Sequence, residues 1–126
     1  MRYDDRPGLY CVEIRSRDWL QAAHWYRDVL GLRVLVRVPD EKYALLAAGE
    51  TRLAILGRDQ PGEATRRISL AFEVPDLAPL VERLHATGAQ LPPPHTSDEG
   101  LREINLVDPD GNRLRLFSWP RGPSGR

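Results

Sequence analysis

The stretch CVEIRSRDWLQAAHWYRDVL, residues Cys11–Leu30, has a counterpart in SLAFEVPDLAPLVERLHATG, residues Ser69–Gly88, which begins 58 positions later. Each stretch consists of a short alternating strand, an aspartate and an amphipathic helix. A second pair, ETRLAIL at Glu50–Leu56 and GNRLRLF at Gly111–Phe117, repeats at an offset of 61. A repeated unit of this kind usually buries its apolar face only against a neighbour. The sequence is therefore built from two copies of one supersecondary unit.

The periodicity predicts the same order of elements in both copies: strand, helix, strand, strand, strand. Aspartate is a favoured N-cap and glycine a favoured helix end, so the helices are expected to run from Asp18 to Gly31 and from Asp76 to Gly88. The polar stretch 57–66 is expected to link the copies, and 92–100 to form a loop. The predicted strands cover 10–15, 32–38, 43–48 and 51–56 in the first copy; in the second they pass through Leu70, Phe72 and Val74 and then cover 89–91, 101–107 and 113–119.

The length of the chain predicts a single domain over residues 1–126. The chain has 18 basic and 18 acidic residues, so its formal net charge is zero. Because nucleic-acid-binding proteins concentrate basic residues on one face, this balance argues against a nucleic-acid partner. The single cysteine allows no internal disulfide, and the chain has no apolar run long enough to span a membrane. Together with a charged N-terminus unlike a signal peptide, these features predict a cytoplasmic protein without a membrane partner.

Two stretches, WYRDVLGLRV at Trp25–Val34 and DPDGNRLRLF at Asp108–Phe117, make the chain resemble the vicinal oxygen chelate superfamily, also called the glyoxalase/bleomycin resistance protein/dioxygenase superfamily. The resemblance extends from Leu9 to Trp119. It implies an α+β fold in which two βαβββ modules, about 9–57 and 67–119, form a cupped, mostly antiparallel mixed sheet around one pocket. It also implies a homodimer, since members of the superfamily often pair and some exchange modules between chains.

Enzymes of this superfamily usually hold a divalent metal with His, Glu or Gln ligands from the first and fourth strands of a module. The resemblance places these ligand positions at Cys11 and Ala54 in the first copy and at Ser69 and Arg115 in the second. Alanine offers no donor, and arginine cannot be deprotonated to coordinate a cation. The three histidines are expected on the two helices and in the loop 92–100. We therefore expect neither a metal nor another cofactor at this place.

Strand alternation places a mixed set of charged, polar and aromatic side chains on the same sheet face as these positions. With Tyr43 and Trp119 at the rim, the pattern predicts a site for a small polar, anionic or aromatic molecule. The predicted ligand-binding residues are Cys11, Glu13, Arg15, Tyr43, Arg52, Ser69, Glu73, Glu103, Asn105, Arg115 and Trp119.

Three of these residues have two interpretations each. The Arg115 guanidinium could bind a carboxylate, phosphate or enolate-like oxygen of a ligand, or it could form a structural ion pair with Glu13 or Glu73. Cys11 could be a small buried side chain or a nucleophile activated by a nearby arginine. Trp119 could stack on a ligand or cover the sheet edge.

The resemblance and the replaced ligand positions together predict a metal-free binding protein of the bleomycin-resistance type, acting in resistance or sequestration. The alternative is an enzyme of the same superfamily, of the lyase, isomerase or ring-cleaving dioxygenase type. Such an enzyme would use a displaced metal, or a metal-free mechanism with Glu13, Glu73 or Glu103 as general base and Arg115 stabilising an oxyanion. The neutral charge and the arginines in the lining argue against cationic bleomycin itself as the ligand.

Overall fold

The computed structural model describes residues 5–120 and contains the predicted βαβββ order twice. The chain divides into two compact units whose boundary lies between Gly62 and Glu63, inside the polar stretch that was expected to link the copies. Residues 1–4, which carry part of the evidence against a signal peptide, and residues 121–126 lie outside the described residues.

Each unit contains one of the two modules, with one α-helix and four strands. The first module also has a short 3-10 helix, Pro39–Glu41, and its other elements are β1 (Val12–Ser16), α1 (Trp19–Asp28), β2 (Val34–Val38), β3 (Tyr43–Ala48) and β4 (Thr51–Gly57). The elements of the second module are β5 (Ser69–Glu73), α2 (Leu77–Ala86), β6 (His95–Thr96), β7 (Arg102–Val107) and β8 (Arg113–Ser118). Neither helix of the described chain has the length and apolar character needed to cross a membrane.

Each module builds its own four-stranded sheet, in which the first strand lies next to the last. The strand orders are β1-β4-β3-β2 and β5-β8-β7-β6. The β1–β4 and β5–β8 pairs are parallel, whereas all other pairs are antiparallel. A parallel pair needs a long crossover connection, and here each crossover contains the helix of its module. The predicted α+β class and the mostly antiparallel mixed sheets are confirmed.

Both predicted helix caps are present. The Asp18 carboxylate accepts a hydrogen bond from the Gln21 backbone N–H at 3.1 Å, and the Asp76 carboxylate accepts one from the Ala78 backbone N–H at 3.2 Å. Each bond satisfies one of the N–H groups that a helix start leaves unpaired. Beyond the end of α1, Gly31 has a φ of 81°, the left-handed conformation that ends many helices. The repeated aspartates therefore mark the two helix starts, as their spacing predicted.

One face of each sheet is buried against the helix of its own module: α1 packs on β1, β3 and β4, and α2 packs on β8. Large aliphatic side chains fill these contacts and are at most 7% exposed, namely Ile14, Leu53, Ile55, Ile104, Leu114 and Leu116. Because strand residues alternate between faces, the residues between them point to the opposite side. We call that side the open face of each sheet.

The strand predicted over 89–91 is not formed, and this prediction is wrong. The second strand of the second module is β6, only two residues long, and it follows Pro92, Pro93 and Pro94. Proline has no backbone N–H to donate to a sheet ladder, so pairing with β7 begins only after the last proline. The strand therefore falls inside the segment that the sequence indicated as a loop.

The turn between β7 and β8 is held by the buried carboxylate of Asp108. Its Oδ1 accepts hydrogen bonds from the backbone N–H groups of Asp110 at 2.9 Å and Asn112 at 2.8 Å, and its Oδ2 accepts one from Asn112 Nδ2 at 2.9 Å. Gly111 takes the left-handed conformation with a φ of 88°. The sequence DPDGN thus forms the turn that its composition predicted, and it fixes the pairing of β7 with β8.

Gly57, the last residue of β4, lies too close to its neighbours to carry a side chain. A Cβ atom there would lie 2.6 Å from Lys42 Cβ and 2.9 Å from Trp19 Cδ1. We expect Gly57→Ala to lower the free energy of unfolding by about 1–3 kcal/mol, the usual cost of overpacking, in urea denaturation. Gly8→Ala is the matched control, because a Cβ atom there meets nothing within 4 Å. Equal stability of the two variants would contradict the close packing at Gly57.

Candidate functional site

The open face of the second module carries six of the predicted ligand-binding residues. At its centre, Arg115 of β8 lies opposite Asn105 of β7. In the next row across the sheet, Phe117 of β8 lies between Glu73 of β5 and Glu103 of β7. Register and alternation therefore bring a guanidinium, two carboxylates, an amide and an aromatic ring together on one surface.

The Arg115 guanidinium is paired on one side and open on the other. Its Nε donates a hydrogen bond to Glu103 Oε1, so its acidic partner is Glu103 rather than Glu13 or Glu73. Its Cζ lies 5.0 Å from the centroid of the Phe117 ring, within the range of a cation–π interaction. The side chains of Arg115 and Glu103 are 36% and 21% exposed. Within residues 5–120, Nη1 and Nη2 have no hydrogen-bond partner, which leaves their four N–H groups for a ligand.

Two aromatic rings extend this surface along β8. The Phe117 and Trp119 ring centroids lie 6.1 Å apart at an interplanar angle of 86°, an edge-to-face contact. Trp119 is 43% exposed, so much of its ring is accessible to solvent. We call Arg115, Phe117 and Trp119 the β8 strip. It presents one cation and two rings in a line, an arrangement suited to a planar anion.

His95 joins the open face of the second module, which the sequence analysis did not expect. As the first residue of β6 it lies opposite Glu103 of β7, and alternation places both on the face of Arg115. The histidine is exposed. The sequence did not reveal this position of His95 because the three prolines before it predicted a loop. The imidazole of His95 adds a nitrogen donor and acceptor to this face, beside the Glu103 carboxylate.

The open face of the first module gathers Tyr10, Cys11, Glu13 and Tyr43. Burial raises the pKa of Tyr43 above its ordinary value of 10.0, and the negative charges that Cys11, Tyr10 and Glu13 can carry raise it further. Glu13 lies opposite the fully buried Ala54. The phenol of Tyr43 therefore stays protonated through the physiological range and can serve as a hydrogen-bond donor.

Arg52 joins this group through Tyr10. Arg52 Nη1 donates to the Tyr10 backbone carbonyl at 3.1 Å, and its Cζ lies 4.4 Å from the centroid of the Tyr10 ring. Arg15 is exposed and lies opposite Leu56. Cys11 is a half-buried free thiol. The contact of Arg52 with Tyr10 could not be read from alternation, because the backbone carbonyl that it reaches precedes β1.

The four positions at which the superfamily resemblance implies metal ligands do not fit a divalent metal. In the first module they are Cys11 and the buried Ala54, and in the second they are the exposed Ser69 and the paired Arg115. A methyl group donates nothing, and a guanidinium repels a cation. Nowhere in residues 5–120 do three or more His, Cys, Asp or Glu side chains form a group that could hold a metal ion. This donor set gives no support to metal chemistry at the superfamily's usual place.

Comparison with known proteins agrees with the architecture. A family model for the Glyoxalase/Bleomycin resistance protein/Dioxygenase superfamily matches residues 9–116. Among curated proteins, the uncharacterised protein YraH of Bacillus subtilis (strain 168) is 27% identical over 123 residues, which cover 86% of this chain and 96% of YraH.

Two solved structures illustrate the likeness in fold. A glyoxalase/bleomycin resistance protein/dioxygenase from Nocardioides has a TM-score of 0.70 at 21% identity, covering 95% of this chain and 88% of that chain. The genomically encoded fosfomycin resistance protein FosX from Listeria monocytogenes has a TM-score of 0.76 at 18% identity, covering 92% of this chain and 96% of that chain. At these identities the likeness is one of fold.

The raised pKa of Tyr43 can be measured by the absorbance of tyrosinate, taking the difference between the parent protein and Tyr43→Phe. Ionisation of Tyr43 is expected at a pH above 10.0. Because burial disfavours the phenolate in the folded state only, the contribution of Tyr43 to stability should be fully present below pH 10.0, the ordinary pKa of the unfolded state, and should be lost as the pH rises from there through the higher pKa of the folded state. Glu13→Gln should lower the pKa only slightly, since burial is the larger cause. Ionisation at or below pH 10.0 would contradict the burial of the phenol.

The strength of the Arg115–Glu103 pair separates a structural role of Arg115 from a ligand-binding role. Because both side chains are partly exposed, we expect a double-mutant cycle of Arg115→Gln and Glu103→Gln to give a coupling of about 1 kcal/mol or less in urea denaturation. A coupling of several kcal/mol would instead identify Arg115 as part of the structural framework.

Proposed function

The chain belongs to the glyoxalase/bleomycin resistance protein/dioxygenase superfamily, and from this premise we propose that it binds a small anionic or aromatic molecule without a catalytic metal. The observation that carries the proposal is the Arg115 guanidinium, whose Nη1 and Nη2 have no hydrogen-bond partner within residues 5–120 and which lies beside the rings of Phe117 and Trp119. The superfamily resemblance implies that this position holds a metal ligand in related enzymes. A guanidinium pairs well with carboxylate or phosphate oxygens. The bound molecule is expected to lie on the β8 strip.

The lining of this surface favours an anion with a planar part. The Nη1 and Nη2 N–H groups of Arg115 can donate to an anion, while Phe117 and Trp119 offer ring edges and faces for stacking. A ligand anion would share Arg115 with Glu103, whose bond uses only Nε. Binding need not break the existing ion pair, so it avoids the cost of leaving the Glu103 carboxylate unpaired.

We propose that binding of this molecule serves resistance or sequestration in the cell. One neighbour in fold is named a fosfomycin resistance protein, which makes capture of a small toxic molecule a natural starting hypothesis. The cytoplasmic location, the homodimer and the lack of a nucleic-acid or membrane partner that the sequence predicted remain parts of the proposal.

An enzyme of the same superfamily is the second candidate, and the position of His95 favours it. His95 lies opposite Glu103, so an imidazole, a carboxylate and the Arg115 guanidinium share one face of the sheet. A histidine beside an oxyanion-stabilising arginine could move a proton without a metal. Mass spectrometry of a bound compound after incubation separates the candidates: an unchanged compound supports binding, whereas conversion that is lost in His95→Gln supports the enzyme.

The binding proposal is tested with a thermal-shift screen of anionic aromatic metabolites, followed by variants. A compound that binds the folded state only must raise the melting temperature. We expect Arg115→Gln to weaken such binding about tenfold, since a charge-assisted hydrogen bond contributes about 1.5–3 kcal/mol. Arg102→Gln is the matched control, because it removes the same charge from the other face of the second sheet.

Two outcomes would overturn the proposal. One is a screen in which no class of compound raises the melting temperature of the parent protein. The other is an active compound that stabilises Arg115→Gln as much as Arg102→Gln, because the ligand would then bind elsewhere.

A further inference from the structure

A hollow of about 220 Å³ lies in the second module, next to the Arg115 end of the β8 strip. A water molecule occupies about 30 Å³ in the liquid, so the hollow has room for a small oxyanion with ordered waters. Its lining consists of Ser69, Asn105, Leu106, Val107, Arg113 and Leu114. Three of these side chains are polar and three are aliphatic, which is the mixed character of a small-molecule subsite.

The polar lining of the hollow is suited to an anion. Ser69 and Arg113 lie opposite each other across the β5–β8 pair. Asn105 of β7 lies opposite Arg115, two residues along β8 from Arg113. The hydroxyl, the amide and the guanidinium can all donate hydrogen bonds. No carboxylate occurs among the lining residues, all of which belong to the described part of the chain. The hollow therefore offers donors and positive charge with no acidic group to compete.

The Arg113 guanidinium is held in place by the main chain. Its Nη1 donates a hydrogen bond to the Arg66 backbone carbonyl at 3.1 Å. Its Nε and Nη2 have no hydrogen-bond partner within residues 5–120. A side chain already anchored at one nitrogen loses less conformational entropy when it binds an anion. Arg113 is thus held by a neutral backbone carbonyl, whereas Arg115 is held by the charged carboxylate of Glu103.

The hollow and the β8 strip lie in one line. Arg113, Arg115 and Phe117 alternate along β8 on the open face, at steps of about 7 Å, and Trp119, which directly follows the strand, contacts the Phe117 ring. We propose that the hollow is a subsite for the carboxylate or phosphoryl group of an elongated ligand whose planar part lies over Phe117 and Trp119. This inference deepens the proposed function and rests on it: it assigns the ligand an anionic end and a direction along the strand.

The subsite is tested by a nuclear magnetic resonance titration of the full chain with inorganic phosphate, which carries the anion alone. We expect localised amide shifts at Ser69, Asn105 and Arg113. Arg113→Gln should weaken phosphate binding about tenfold and Ser69→Ala about threefold, since a charged donor contributes more than a neutral one. Arg102→Gln should stay within about twofold of the parent protein. The amide spectrum of each variant reports whether the fold is kept.

A second titration with phenylphosphonate tests the direction of the ligand. Both probes should shift the amides of the hollow, but only the probe with a ring should also shift the Trp119 indole N–H. Phosphate shifts confined to Arg115 and its neighbours would overturn the subsite and leave the proposed function standing. Equal shifts at all exposed arginines, or no shift at the hollow, would also overturn the subsite. Phosphate binding that Arg113→Gln weakens supports the subsite even if no metabolite in the thermal-shift screen binds.

Discussion

The parallel pairing of the first and last strands within each module is the constraint on which the rest of the structure depends. In β1–β4 and β5–β8 this pairing forces a crossover, and the crossover helix must then cover one face of the sheet. Large aliphatic residues alternate toward that helix on every central strand. The opposite face is left for other chemistry, and its side chains are fixed in register by the same pairs. The position of every candidate site residue on a strand follows from this one arrangement.

On the second module this arrangement concentrates unlike groups in a small area. Arg115, on the central strand β8, contacts Glu103 of β7 and the ring of Phe117 on its own strand. A guanidinium in such a place neutralises a carboxylate and still keeps donors for a ligand. The same position in a metal-dependent relative would carry a ligand to the metal. Under the proposed function, the sheet keeps its geometry while the chemistry at its open face changes from chelation to anion recognition.

The sequence predicted the elements well where local signals and the repeat agreed. Asp18, Asp76 and Gly31 are local signals whose physics needs no distant partner, and each does what its type predicts. The missing strand over 89–91 shows the limit, because a strand exists only where a partner can pair with it. The pairing of β6 with β7 begins at His95, the first residue after the prolines that has a backbone N–H. His95 therefore became a site residue only once the structure placed it beside β7.

The candidate site could be predicted as a face but not as a set of contacts. Alternation assigned Glu103, Arg115 and Asn105 to one side correctly, because a strand has only two sides. It could not choose the partner of Arg115, since a long side chain can reach several carboxylates on the same face. The tilt of Arg52 toward Tyr10 has the same cause. The contacts of long polar side chains depend on shifts of a few ångströms in position. Strand alternation predicts only the face on which a side chain lies, so it cannot predict these contacts.

The most direct test of the account is equilibrium dialysis of the purified protein against Zn²⁺, Fe²⁺, Mn²⁺ and Ni²⁺, with elemental analysis of the bound metal. The account predicts binding well below one ion per chain for every metal, and no change in Cys11→Ala or Ser69→Ala. One tightly bound ion per chain that is lost in either variant would contradict it, because the superfamily's usual metal place would then be in use despite its altered donors.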